Sequence, residues 1–198
     1  MSEQELMQSI KTVWGAHIQT AASTSSVPAS FLAALVANES GGKADAKRFE
    51  PGVLAHLWEV LLGRKAAFGS IGRADLVAYV SALERNGTPR VPGNLPADAF
   101  ERVDALATSW GLTQVMGYHV LDSLINPGSI ENLKDGAGNL VVTLRMLAQF
   151  ARRFDLDVTK DFEQLFRCWN TGQPDGKTFD QNYALNGLTR MAVWTSLP

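Results

Sequence analysis

A single cysteine, Cys168, stands in the whole chain, so no intrachain disulfide can form and stability must come from packing and hydrogen bonding. Histidine is scarce too. His17, His56 and His119 lie far apart and make no metal-ligand spacing, so neither a metal nor another cofactor is expected. Charge of one sign is missing: 18 Lys and Arg oppose 20 Asp and Glu, for a net charge of −2. Non-specific nucleic-acid binding depends on dense Lys and Arg that displace counterions, so a nucleic-acid partner is not expected. No apolar stretch approaches the roughly 20 residues a membrane helix needs, and the first residues, Met1 to Trp14, lack the basic and apolar regions of a secretory signal. The expectation is a protein made in the cytoplasm without stable membrane insertion. Repeats, low-complexity tracts and linkers are absent as well, and 198 residues suit a single domain spanning 1–198.

What is present is a globular composition, with 45% hydrophobic and 19% charged residues, five Trp and nine Phe. Apolar residues recur at helical spacing through most of the chain, and strand-like alternation is scarce. The fold class expected is all-α. A first helix is predicted from Glu3 to about Thr20, with Ser2 and Glu5 spaced as a capping box. A second begins at Pro28, suited to a first helical position, and ends near Glu39, where Gly41–Gly42 stops it. Further helices are predicted over Gly52–Leu62, Arg73–Arg85, Ala97–Ser109, Asn139–Phe154, Lys160–Trp169 and Phe179–Trp194, with shorter turns over Leu112–Ile125 and Ser129–Leu133.

Within the second helix, Phe31, Leu32, Leu35 and Val36 share one face. Glu39 follows Leu35 by four and Val36 by three, so its carboxyl continues the apolar stripe. Dehydration there disfavours the charged form and raises the pKa, and a carboxyl still protonated near neutrality suits a general acid. The bland alternative is an exposed last turn, in which a Glu sits badly with the helix dipole at a cost of roughly 0.3–1 kcal/mol.

Glu39-Ser40-Gly41-Gly42 closing an apolar helix resembles the catalytic Glu-Ser of the goose-type lysozyme and lytic transglycosylase superfamily. Ser109-Trp110-Gly111-Leu112-Thr113-Gln114-Val115-Met116-Gly117 is similar to that superfamily's Gly-Leu-x-Gln-(Ile/Leu/Val)-Met segment, most closely as it occurs in phage and prophage N-acetylmuramidases. Arg48-Phe49-Glu50-Pro51 before an apolar helix fits the same group, as do residues Ala105–Thr108 running into Ser109. Trp169-Asn170-Thr171-Gly172, with Tyr183 downstream, resembles the aromatic-Asn-x-Gly motif and later Tyr of transglycosylase-type domains. The matched pieces run in order from Phe31 to about Met191. Thr113 departs from the apolar or aromatic residue usual there, and the segment between Leu62 and Pro96 matches no pattern.

The resemblance implies a lysozyme-like helical domain with a glycan-binding cleft, acting as a monomer on the glycan strands of peptidoglycan. Its bond would be the β-1,4 link between N-acetylmuramic acid and N-acetylglucosamine, with Glu39 as the acid. A hydrolase of this kind uses a second carboxylate, for which Glu50 is the first candidate and Asp45 the lesser; a lytic transglycosylase needs none, because the muramic C6 hydroxyl attacks and leaves a 1,6-anhydro end. Gln114 is expected to donate to the glycan, with Ser109, Asn170 and Tyr183 as further substrate-binding residues. Trp110 and Trp169 are candidates for sugar platforms or core, and His119 for the cleft wall. Without a signal, such an enzyme would reach the wall after release by a holin or by lysis. A third reading is a catalytically silent glycan-binding module.

Other signals point elsewhere. Gly172–Thr178 mimics a phosphate loop but has three residues between its glycines where the pattern needs four. The same stretch fails the calcium-loop pattern, with Gln181 in place of the final Glu. Cys168 lies on an apolar helix face and reads as packed, and Arg152–Arg153 as a solvated face.

Overall fold

A computed structural model of the chain describes residues 1–82, 90–91, 95–96 and 98–198. Helix α1 (Glu3–Ser23) opens on the predicted capping box: Ser2 Oγ accepts from Glu5 N, and the Glu5 carboxylate accepts from Ser2 N. Its apolar residues Met7, Ile10 and Ile18 face inward. Helix α2 (Ala29–Glu39) is buried without interruption from Phe31 to Ala37. A helix apolar on every side belongs at the centre of a core, and α2 lies against both α1 and α9 (Tyr183–Ser196). Helices α7 (Gly136–Phe154) and α8 (Phe162–Thr171) complete this lobe, and Phe31 stacks on Phe166 with centroids 4.4 Å apart.

A second core gathers Leu57, Val60, Leu76, Val80, Val103 and Leu106 from α3 (Pro51–Leu61), α4 (Arg73–Ala82) and α5 (Ala99–Leu106). A three-stranded antiparallel sheet runs beside both cores, with Thr108–Trp110 in the middle, flanked by Lys47–Phe49 and by Val115–Met116. These strands are β6, β1 and β7; β2 (Ala67–Phe68) pairs with β3 (Ile71–Gly72), and β4 (Arg90–Val91) with β5 (Leu95–Pro96). A five-residue 3₁₀ turn (Gly117–Leu121) and α6 (Ile130–Lys134) link the sheet to α7.

The all-α expectation is borne out, with corrections at element ends. The predicted helix over Ala97–Ser109 stops at Leu106. Thr108 Oγ1 bonds back to Asp104 O, and the next residues pair on both sides as β6. A three-residue strand is too short for alternation to show in the sequence. Helix α7 begins earlier than predicted because Asp135 caps Gly138 N, and α9 begins later, after a turn in which Asp180 accepts from Asn182 N. Of the predicted helix over Arg73–Arg85, the last three residues lie outside the described ones, as does Ala97. No described helix is long and apolar enough to cross a membrane.

Helices α8 and α9 meet face to backbone. A Cβ on Gly187 would come 2.5 Å from the fully buried ring of Phe166. Gly187→Ala should therefore destabilise by about 1–3 kcal/mol through overpacking, despite the helix-propensity gain. Gly15→Ala, whose new carbon would sit 3.6 Å from Lys11 Cγ, should stabilise by about 0.5–1 kcal/mol. Urea midpoints of the two variants should move in opposite directions.

Candidate active site

Glu39 is the last residue of α2, and three contacts fix the chain that leaves it. Ser40 Oγ lies 2.7 Å from Leu112 O, Gly41 and Gly42 turn with φ of 60° and 85°, and Trp14 Nε1 donates to Gly42 O at 2.8 Å. Only glycine takes two such angles in succession without strain. The carboxyl that results is half-buried at the seam of α2 and α9, where the Tyr183 hydroxyl donates to Glu39 Oε1.

Burial raises the Glu39 pKa from 4.5 to about 7, against the opposing effects of the Tyr183 hydrogen bond and the positive charge of Arg48. Dehydration wins because a buried carboxylate loses more hydration than one phenol and one partly solvated guanidinium restore. Tyr183 is itself buried, and its ionisation is pushed upward first by burial and then by the carboxyl it faces. The phenol stays a donor across the accessible pH range.

A second group of predicted residues forms the β6–β7 turn. Gln114 sits at φ 55°, an uncommon value for a side-chain-bearing residue, and its side chain holds that shape. Its Nε2 donates to Ala46 O and Gly111 O, both at 3.0 Å, and its Oε1 lies 3.0 Å from Ser109 Oγ. Both amide protons are therefore engaged within the protein, and what Gln114 retains for a ligand is acceptor capacity on Oε1. Ser109 is 1% exposed, so its hydroxyl meets Gln114 and Arg48 O, not solvent.

Thr113 is buried. Its Oγ1 lies 2.7 Å from both Asn139 Oδ1 and Thr143 Oγ1, while Asn139 Nδ2 donates to Trp110 O and Leu133 O. Thr113 thus faces α7 and anchors the turn to it. Trp169 Nε1 donates to Thr113 O from the other side. Gly111 has no room for a Cβ, which would fall 2.3 Å from Leu133 O.

A cleft of about 620 Å³ opens beside this turn, and its wall includes Gln114, Trp169 and the exposed Asn170. Glu39 and Tyr183 are not in its lining. The structure thus joins Glu39 to Tyr183, and Ser109 to Gln114; Asn170 is hydrogen-bonded to neither pair and shares the cleft lining with Gln114. Glu50 caps the start of α3 without a side-chain cap bond, and its Oε1 lies 2.6 Å from Arg48 Nε, in contact but without hydrogen-bond alignment. Asp45 is exposed in the turn before β1.

Sequence reasoning missed Phe68, Tyr118 and Gln149, which also line the cleft. Phe68 comes from the β2–β3 hairpin in the unmatched segment, and nothing in its local pattern marks it. His119 does line the cleft, and burial lowers its pKa to about 4, with Asp122 opposing, so the imidazole is neutral. Its Nδ1 and Gln149 Nε2 are buried without hydrogen-bond partners. Among the described residues no three His, Cys, Asp or Glu cluster as metal ligands would.

The fold is similar to the crystal structure of an endolysin from the Burkholderia phage AP3, with a TM-score of 0.57 and 18% identity over 92% of this chain and 71% of that one. At such identity the likeness concerns the fold. No protein-family model matches the chain, and neither does any curated protein.

The carboxyl's raised pKa has a thermodynamic consequence. Between pH 4.5 and about 7 the folded chain keeps a proton on Glu39 that the unfolded chain has released. Stability therefore falls as pH rises through that window. Glu39→Gln, which keeps an acceptor for Tyr183, should match wild type below pH 4.5 and exceed it above pH 7 by on the order of 1–3 kcal/mol, read from thermal melts at both pH values.

Proposed function

We propose that this chain is a lysozyme-like glycosidase of peptidoglycan, acting on the β-1,4 bond between N-acetylmuramic acid and N-acetylglucosamine with Glu39 as general acid. The observation that carries the reading is the Glu39 carboxyl, half-buried at the end of a wholly buried helix and protonated up to about pH 7. The order of the sequence motifs and the likeness of the fold to a phage endolysin support it.

Glycosidic cleavage needs a proton on the departing oxygen and stabilisation of an oxocarbenium-like sugar. Glu39 supplies the proton, and Tyr183, already donating to its Oε1, steadies the carboxylate that remains. Gln114 and Asn170 border the cleft beside the β6–β7 turn and hold the glycan there, with Trp169 as an apolar wall; Ser109 acts through Gln114. Glu50 is the base that orients water in the hydrolytic route. One observation favours the alternative, a lytic transglycosylase: the Glu50 carboxylate is engaged by the Arg48 guanidinium and is not free to orient water, and the transglycosylase route needs no second carboxylate. In either case the protein is made in the cytoplasm, works as a monomer, and meets the wall after release.

Clearing of outer-membrane-permeabilised cells tests the reading. Glu39→Gln should lose about 100-fold or more of the rate, and the wild-type rate should decline above pH 7 as Glu39 loses its proton. Equal clearing by both proteins would remove Glu39 as the acid, and glycan binding without clearing by either would leave a silent binding module. Mass spectrometry of the products decides the route: reducing muramic ends mean hydrolysis, and 1,6-anhydro ends mean transglycosylation.

A further inference from the structure

Three helices converge behind the Glu39 site through side chains that the mechanism above does not use. Arg190 on α9 forks onto Glu3 in the first turn of α1, with Nε 2.7 Å from Oε2 and Nη2 2.9 Å from Oε1. Its remaining nitrogen, Nη1, donates to Asn38 Oδ1 at 2.7 Å. Asn38 Nδ2 in turn donates to Tyr183 O at 3.0 Å, and Tyr183 donates through its hydroxyl to Glu39. Asn38 precedes Glu39 on α2, and Arg190 follows Tyr183 by seven residues, two turns along one face of α9.

The direction of each bond is forced. Arginine has no acceptor, so the amide of Asn38 must turn its oxygen to Arg190 and its nitrogen to Tyr183. A two-point fork on a carboxylate fixes the plane of the guanidinium as well as its position. The Arg190 side chain is 15% exposed, so solvent competes weakly for it. Glu3 is half outside but well held, its carboxyl kept below the ordinary range by Arg190. The chain of contacts fixes the first residue of α9, and with it the direction in which the Tyr183 ring projects.

We propose that Arg190 is a positioning residue for the Glu39 acid: braced on Glu3, it aligns Asn38 and Tyr183 so that the phenol occupies Oε1 and the acid proton is confined to Oε2, the oxygen left for the glycosidic bond. The proposal rests on the reading of Glu39 as the acid. The phenol is the donor in this bond, and the carbonyl oxygen of a neutral carboxyl is its better acceptor, so Tyr183 on Oε1 favours the Glu39 proton on Oε2. The charged and titratable groups facing Glu39 are Tyr183 from α9 and Arg48 from β1; those facing Tyr183 are Glu39 and Arg190. Arg190 therefore acts on the acid through the phenol.

The test follows the Glu39 side-chain carbonyl carbon by NMR through a pH titration of the full chain, alongside kcat and KM on peptidoglycan. Tyr183 donation favours the ionised acid, so slackening it in Arg190→Met should raise the Glu39 midpoint by about half a pH unit or more, roughly threefold in its acid constant. kcat should fall severalfold with KM unchanged, and Arg190→Lys, which reaches one partner but not both, should recover part of the shift. Adding Arg190→Met to Tyr183→Phe should move the midpoint no further. An unchanged midpoint in Arg190→Met, or a full additional shift in the double variant, overturns the proposal.

If Arg190→Met does not fold, Glu3→Gln gives the second measurement. It weakens the fork from an exposed position, and its titration must shift in the same direction for the proposal to stand. Wild-type cleavage by Glu39→Gln would instead defeat the reading of Glu39 as the acid, while the titration would still decide whether Arg190 governs that carboxyl.

Discussion

A carboxyl deprived of water at the end of a helix that has no solvent face is the constraint around which the site is built. Helix α2 is buried from Phe31 to Ala37 between α1 and α9, so whatever residue ends it emerges from the core and not from the surface. The chain must leave abruptly to keep that residue at the boundary. Gly41 and Gly42 give the reversal, and Ser40 and Trp14 pin it from two sides. The same carboxyl one turn earlier, where Leu35 is fully buried, would lie inside the core, where an uncompensated charge is far more costly.

The magnitudes explain why Glu39 is poised and not merely buried. A rise from 4.5 to about 7 corresponds to on the order of 3 kcal/mol between its two protonation states. Full dehydration without partners would push it further, while an exposed carboxyl with the same phenol and guanidinium would fall below its ordinary value. The position between the two is set by three named groups: the apolar end of α2, the Tyr183 hydroxyl and Arg48. Arg48 is itself turned toward Glu50, so its charge is shared between two carboxyls.

How much of this was legible in the sequence varies with the range of the interaction. Helix periodicity, the Ser2 capping box and the glycine stop after Glu39 are local signals; the cap and the stop appear where the spacing placed them, and the helices do so except at their ends. The apolar stripe running into Glu39 pointed to a half-buried carboxyl but left an exposed last turn open, and the motif resemblance decided between them. Strand β6 escaped because its pairing partners lie some 60 residues before it and five after, and three residues cannot show a period. The roles inside the β6–β7 turn were also hidden. Gln114 reads as a ligand donor, yet its amide protons fold the turn; Thr113 reads as a departure, yet its hydroxyl meets Asn139 from a helix 26 residues away. Asn38, Glu3 and Arg190 carry no local mark at all, since only the packing of α1, α2 and α9 brings them together.

The rigidity of that turn follows from Asn139. It accepts from Thr113 N and from Thr113 Oγ1, and donates to Trp110 O and Leu133 O, which fills its hydrogen-bonding capacity in a fully buried place. A saturated buried amide resists displacement, because any movement leaves several desolvated groups unpaired at about 1–3 kcal/mol each. Another part of the cleft lining differs in kind. His119 Nδ1 and Gln149 Nε2 are dehydrated there without partners, a cost the surrounding packing must offset. One part of the lining is thus held by complete polar satisfaction and another carries unmet polar groups. Proteins concentrate such local cost where a ligand can relieve it, which makes the Gln149 part of the lining the one expected to adjust when the cleft is filled and the Gln114 part the fixed edge.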